Sequence, residues 1–135
     1  MPCDYVIDPE RRLVRTTISG VVTGAELREL RDRLAADPSF SPELSGLIDL
    51  TDARADALTS ADIQRLARNA AFGKQARRAF VSPNPAMFGL ARMFEVYREM
   101  RDGPELTATF RTVAEAEAWL GLRPVDESAR RGEAG

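Results

Sequence analysis

Two short runs, Leu47-Ile48-Asp49-Leu50 and Ala79-Phe80-Val81, carry apolar side chains at consecutive positions and stand between segments of helical period. A strand with one wet face alternates polar and apolar residues, whereas a strand apolar on both faces must be covered on both. Such strands separated by helices predict a parallel sheet with right-handed crossovers, the two runs lying buried at its centre.

The other segments fit around that centre. Tyr5-Val6-Ile7, a turn over Asp8-Pro9-Glu10-Arg11, and Leu13 to Ser19 predict an opening antiparallel hairpin, Pro9 being preset for the second turn position. Thr23 and Glu26 form a capping-box signature, with Val22 placed to staple onto Leu27. Leu27, Leu30 and Leu34 give that helix a buried face, while Glu26, Arg28, Glu29, Arg31, Asp32 and Arg33 read as its wet face. Asp37-Pro38 ends it.

Thr59-Ser60-Ala61-Asp62 opens a second helix with Ile63, Leu66, Ala67 and Ala70 inward. A third runs from Asn84-Pro85 to about Arg101 and stops at Asp102-Gly103-Pro104. Leu106, Ala108 and Phe110 alternate with Thr107, Thr109 and Arg111, predicting a half-exposed edge strand. Thr112 then caps a short helix through Leu120, with Gly121 as its stop. The order is β-β-α-β-α-β-α-β-α: an α/β fold with a mostly parallel five-stranded sheet and four helices. One domain spans 1–122, and 123–135 reads as a disordered tail without apolar period.

Composition narrows the function classes. With 19 basic and 21 acidic residues the chain has a formal charge of -2, which offers no electrostatic footprint for nucleic acid. The absence of histidine removes the commonest general base and every His-bearing zinc site. Cys3 is the one cysteine, so no internal disulfide forms, and its place near the N-terminus predicts a frayed, unactivated thiol. No stretch is apolar enough to span a membrane, and Met1 to Glu10 lacks a basic start and an apolar stretch, so the expected location is the cytoplasm.

Four groups of residues deserve a functional reading beside a structural one. Thr59 and Ser60, at a helix N-terminus, read as a cap or as a phosphosite. Ser82 and Asn84 follow a buried strand, where Asn84 is either the cap before Pro85 or a holder for an anion or a ligand's polar end; Asp49 joins them as a candidate. Asp49, Asp52 and Asp56 hold oxygens of the kind magnesium takes, but turn formation accounts for Asp52 and Asp56, and no metal or cofactor is expected.

On the third helix, apolar residues cover roughly 220° of arc at ~100° per residue, where one buried face needs about 100°. Gly89, Met93, Val96 and Met100 form a second seam beside Met87, Leu90, Phe94 and Tyr97. With Phe88, that second seam reads as packing on a neighbouring helix, as a homodimer face, or as an apolar-ligand pocket.

The punctuation of the chain resembles the SpoIIAA-like domains of the STAS group, often labelled STAS/SEC14. The similarity covers about residues 4–121 and rests on Arg12-Leu13-Val14, Ala36 to Phe40 leading to Leu47 to Leu50, Arg78 to Val81 followed by Pro83, Gly89 to Glu95, and Glu115 to Leu120. The resemblance implies a small cytosolic bacterial domain. Its relatives include anti-anti-sigma factors switched by phosphorylation on a serine of an Asp-Ser-Ser-Gly stretch, and stand-alone proteins associated with lipid-like ligands. The equivalent region here, Asp56-Ala57-Leu58-Thr59-Ser60-Ala61-Asp62, keeps an acid and hydroxyls without the Asp-Ser pair or the glycine. The expectation is a non-enzymatic binding or regulatory module acting through protein contacts as a homodimer, with a regulatory protein as a further partner. The alternative is a hydrophobic-ligand or lipid-binding protein holding an apolar small molecule.

Overall fold

A computed structural model describes residues 3–69, 76–102 and 106–122. Along the chain lie β1 (Cys3–Asp8), β2 (Leu13–Val21), α1 (Gly24–Ala36), β3 (Ser45–Arg54), α2 (Ser60–Arg68), β4 (Arg78–Val81), α3 (Pro85–Asp102), β5 (Thr107–Phe110) and α4 (Val113–Leu120). The strands form a five-stranded sheet in the order β1-β2-β3-β4-β5, with β1 antiparallel to β2 and the later neighbours parallel. The α/β class and the central position of the two apolar runs are as the sequence predicts.

Because the strand order advances in one direction, crossovers of one hand place α1, α2 and α3 on the same face. Leu30, Met87 and Ala91 accordingly pack with Ile48 and Leu50 on that face. The side chains between these, Leu47, Ala79 and Val81, point to the other face and meet Ala116, Trp119 and Leu120 of α4. Both central strands are thus covered twice, at roughly 1.5–3 kcal/mol for each large apolar side chain buried. On the far face α4 reaches only the start of β2, at Leu13 and Arg15, and beyond it the strand alternates, with Thr16 and Ile18 buried and Thr17 and Ser19 exposed.

The helix starts are local chemistry. Thr23 and Glu26 close a capping box on α1, and Thr59 and Asp62 close another on α2. Thr112 accepts from Glu115 N at the start of α4, and Gly121, at φ 75°, ends it in the left-handed region that glycine adopts without a Cβ clash.

Several sequence readings need correction. Cys3 is not frayed: it opens β1, pairs with Ile18 and is 4% exposed in the core. The strand at Leu47 runs on to Arg54, because β2 follows it past a register shift between Thr17 and Ser19, and Asp52 is therefore a strand residue rather than a turn former. β5 is an edge strand, but its two faces meet α3 and α4, so Thr107 is buried where the alternation put it in solvent. The expectations for Ala70, for the stop at Gly103-Pro104 and for the tail 123–135 lie outside the described residues. Among the described residues no helix is long and apolar enough to cross a membrane.

Candidate functional site

The helical face is not filled evenly. α2 makes its principal contacts with α3 and, more lightly, with α1, rather than with any strand, so it rides above the sheet as a roof. Below it lies a partly open cavity of about 150 Å³. Its floor contains Thr16, Ile48 and Phe80, which are successive partners across β2, β3 and β4. Leu27, Leu30 and Leu34 of α1 form one wall and Met87, Leu90, Ala91 and Phe94 of α3 another, with Ile63 and Leu66 of α2 above. Phe94 stands edge-on to Phe80, their centroids 5.1 Å apart, which fixes the α3 wall against the floor.

Three polar side chains enter this lining: Thr16, Arg31 and Arg78. Arg78, at the start of the central strand β4, is 1% exposed; its strand partner Gly46 contributes no side chain to the same row. Arg31 departs from the sequence reading, which counted it with the wet face of α1. Its Nε and Nη2 reach Asp32 Oδ1 at 3.2 Å, its side chain is 21% exposed, and Nη1 is buried without a hydrogen-bond partner among the described residues. Partly exposed, it lines the cavity with one edge of the guanidinium held by Asp32.

The third helix divides largely along its two seams. Met87, Leu90, Ala91 and Phe94 face the cavity, whereas Phe88, Gly89, Met93, Val96 and Met100 do not line it. Val96 and Met100 are 47% and 79% exposed, and nothing approaches the open side of Gly89. Phe88 is half-buried beneath the Arg111 guanidinium, 4.4 Å from its ring.

Midway along β3, at the carboxyl end of β4, the chain brings Asp49 beside Val81, one residue before Ser82. Asp49 is occupied locally, taking the Thr51 amide and hydroxyl on Oδ1. Ser82 is fully buried and its hydroxyl accepts from Asn84 N, while Asn84 Oδ1 accepts from Ala86 N at 2.9 Å and Met87 N at 3.2 Å as the cap of α3. Asp56 pairs with Arg54 at 2.9 Å on the surface. Among the described residues no three carboxylate or thiol side chains converge as a metal would require. Thr59 and Ser60 are exposed, and Thr59 is engaged in its capping box.

Three buried charges went unread in the sequence, and each joins two elements. Glu95 accepts from Arg92 at 2.8 Å and from Thr109 Oγ1 at 2.9 Å, tying α3 to β5. Arg98 donates to the Ala67 carbonyl at 2.6 Å, and the exposed Arg101 to that of Arg68 at 3.1 Å, so α3 supplies cations to the C-terminal carbonyls of α2. Glu117 meets Arg15 at 2.8 Å beneath the opposite face of the sheet. The contacts of Glu95, Arg98 and Arg101 hold the roof and its supports, and no periodicity signals any of the three buried charges. The chain matches no family model and no curated protein.

Proposed function

We propose that this chain is a non-catalytic binding module, of the STAS/SEC14 kind that its sequence resembles, which holds a small apolar molecule beneath α2. The observation that carries the reading is the cavity of about 150 Å³ walled by leucine, isoleucine, methionine and phenylalanine. A space of that volume with mainly apolar walls accepts a body the size of benzene. Burying about six carbons at ~0.8 kcal/mol each supplies roughly 5 kcal/mol before the costs of association, so affinity for a simple hydrocarbon is sub-millimolar at best.

Thermal unfolding with 1-octanol tests this. Ligand at about ten times its dissociation constant stabilises the native state by about 1.4 kcal/mol, a rise of several degrees for a domain this size. Ala91, 5% exposed in the wall, is the place to fill the cavity. Octanol should raise the midpoint of the wild type and leave Ala91→Phe unmoved; an unmoved wild type overturns the reading.

The protein-contact reading keeps one observation of its own, the exposure of Val96 and Met100 along the outer side of α3. Covering that strip in a homodimer is compatible with an occupied cavity, since the two lie on different sides of the helix.

A further inference from the structure

We infer that the ligand of this cavity is a medium-chain carboxylic acid whose carboxylate binds Arg31, an inference that rests on the small-molecule reading above. Arg31 sits in a run of charged residues on α1, yet it is directed to the rim of an apolar cavity. One edge of the guanidinium, Nε and Nη2, is held by Asp32 Oδ1 at 3.2 Å, which leaves Nη1 on the opposite edge. That nitrogen is buried and has no acceptor among the described residues. A buried donor without a partner is the arrangement proteins avoid, and an acceptor arriving with a ligand completes it.

Charge decides the kind of acceptor. The described lining holds two guanidinium groups, Arg31 and Arg78, and no carboxylate. An anionic oxygen makes the stronger bond to a guanidinium than a neutral hydroxyl does. Size decides the rest. About 150 Å³ holds a body of about six carbons, with the remaining one or two and the head group reaching the open rim. A diacyl lipid brings far more hydrocarbon than the cavity holds, which leaves a single short chain. The carboxylate at the mouth meets Arg31 while its tail lies over Ile48 and Phe80 and beside Phe94.

Titration calorimetry of the full chain at neutral pH with octanoate and with 1-octanol reads this directly. An apolar cavity without a cation disfavours a charged head, so the two probes differ in sign as well as size. The expected result is octanoate binding about tenfold or more tighter than octanol, with Arg31→Met abolishing the preference while octanol binding persists. Arg31→Lys, which keeps the charge and loses the fork, should keep part of it. Equal affinity of the wild type for the two probes overturns the inference without any variant, and leaves the apolar-cavity reading standing because octanol still binds. A preference for octanoate that survives in a folded Arg31→Met protein also overturns it. Binding of neither probe overturns both the inference and the reading it rests on.

Discussion

The Tyr5 hydroxyl donates to Asp37 Oδ2 at 2.7 Å, fastening the edge strand β1 to the residue that ends α1. Arg33 adds a second fastening, its guanidinium 5.8 Å from the Tyr5 ring centre and donating to the Cys3 carbonyl at 3.1 Å. An edge strand paired on one side gains from both, since these side contacts supply what a further strand otherwise would.

That relationship predicts a pH dependence. The Tyr5 hydroxyl, and next the Ser39 amide, hold the Asp37 carboxyl below the ordinary carboxylate range. A carboxyl depressed in the folded state contributes stability that is complete above its unfolded pKa and lost as pH falls through its folded value. Urea midpoints of wild type and Tyr5→Phe should therefore differ most near neutral pH and converge under acid. A gap of constant size across the carboxylate range would show that Asp37 plays no part. On the alkaline side the sign is opposite: the bond to Asp37 pushes the Tyr5 pKa up, so its contribution is lost as pH rises through that raised value.

Gly24 and Asp62 make the second prediction. A Cβ added at Gly24 would stand 2.5 Å from Asp62 Oδ1 and 2.6 Å from its Cγ. Asp62 cannot yield freely, because Oδ2 accepts the Thr59 amide at 3.0 Å and its own amide donates to Thr59 Oγ1 at 3.1 Å. Gly24→Ala gains up to ~1 kcal/mol of helix propensity but displaces a capping box in which Thr59→Ala alone costs about 0.5–2 kcal/mol. The net effect expected from urea unfolding is destabilisation, smaller in an Asp62→Ala background, which removes Oδ1 and Cγ but keeps the Cβ 3.1 Å away. Stabilisation in the wild-type background refutes the contact. Ser60→Ala, at the exposed first residue of α2, should change stability by no more than ~0.5 kcal/mol.

What was legible in the sequence follows the range of the forces involved. The caps at Thr23, Thr59 and Thr112 are settled within three residues, and each stands where its letters put it. The buried centre was legible because consecutive apolar residues admit one environment. Pairing beyond the local chain was not: the extension of β3 to Arg54 exists because Ser19 to Val21 lie alongside. The cavity was hidden for a different reason. Leu30, Ile48 and Phe94 are the residues of any core, and whether they close on one another depends on how high α2 rides, which three helices and a sheet decide together. Arg31 was hidden by its neighbours, since Asp32 and Arg33, which follow it in the same turn, are exposed.

Cys3 offers a probe of the edge strand. Burial first, and the nearby Glu26 second, push its thiol pKa up, so little thiolate forms near neutral pH and what forms is shielded. Labelling by a disulfide reagent should be slow in native protein, complete in denaturant, and faster in Tyr5→Phe, where β1 loses its tie to Asp37. Rapid labelling of the native wild type contradicts the placement of Cys3 in the core.

The outer side of α3 separates ordinary exposure from an interface. Met100, at 79% exposed, and Val96, at 47%, stand four residues apart on one side of the helix, and Gly89 toward its start leaves open space above the backbone. If two copies meet there across a two-fold axis, each residue faces its own kind. Met100→Glu then sets carboxylates against an apolar surface and should cost several kcal/mol of association. In the isolated chain the same change adds one charge at an already wet position and should alter stability by no more than ~0.5 kcal/mol. Sedimentation across a concentration series, with circular dichroism on the same samples, separates these outcomes. Loss of a dimer with the fold retained supports the interface, and a wild type that stays monomeric at high concentration removes it. The octanol response should survive in Met100→Glu either way, because Met100 does not line the cavity on the other side of the helix.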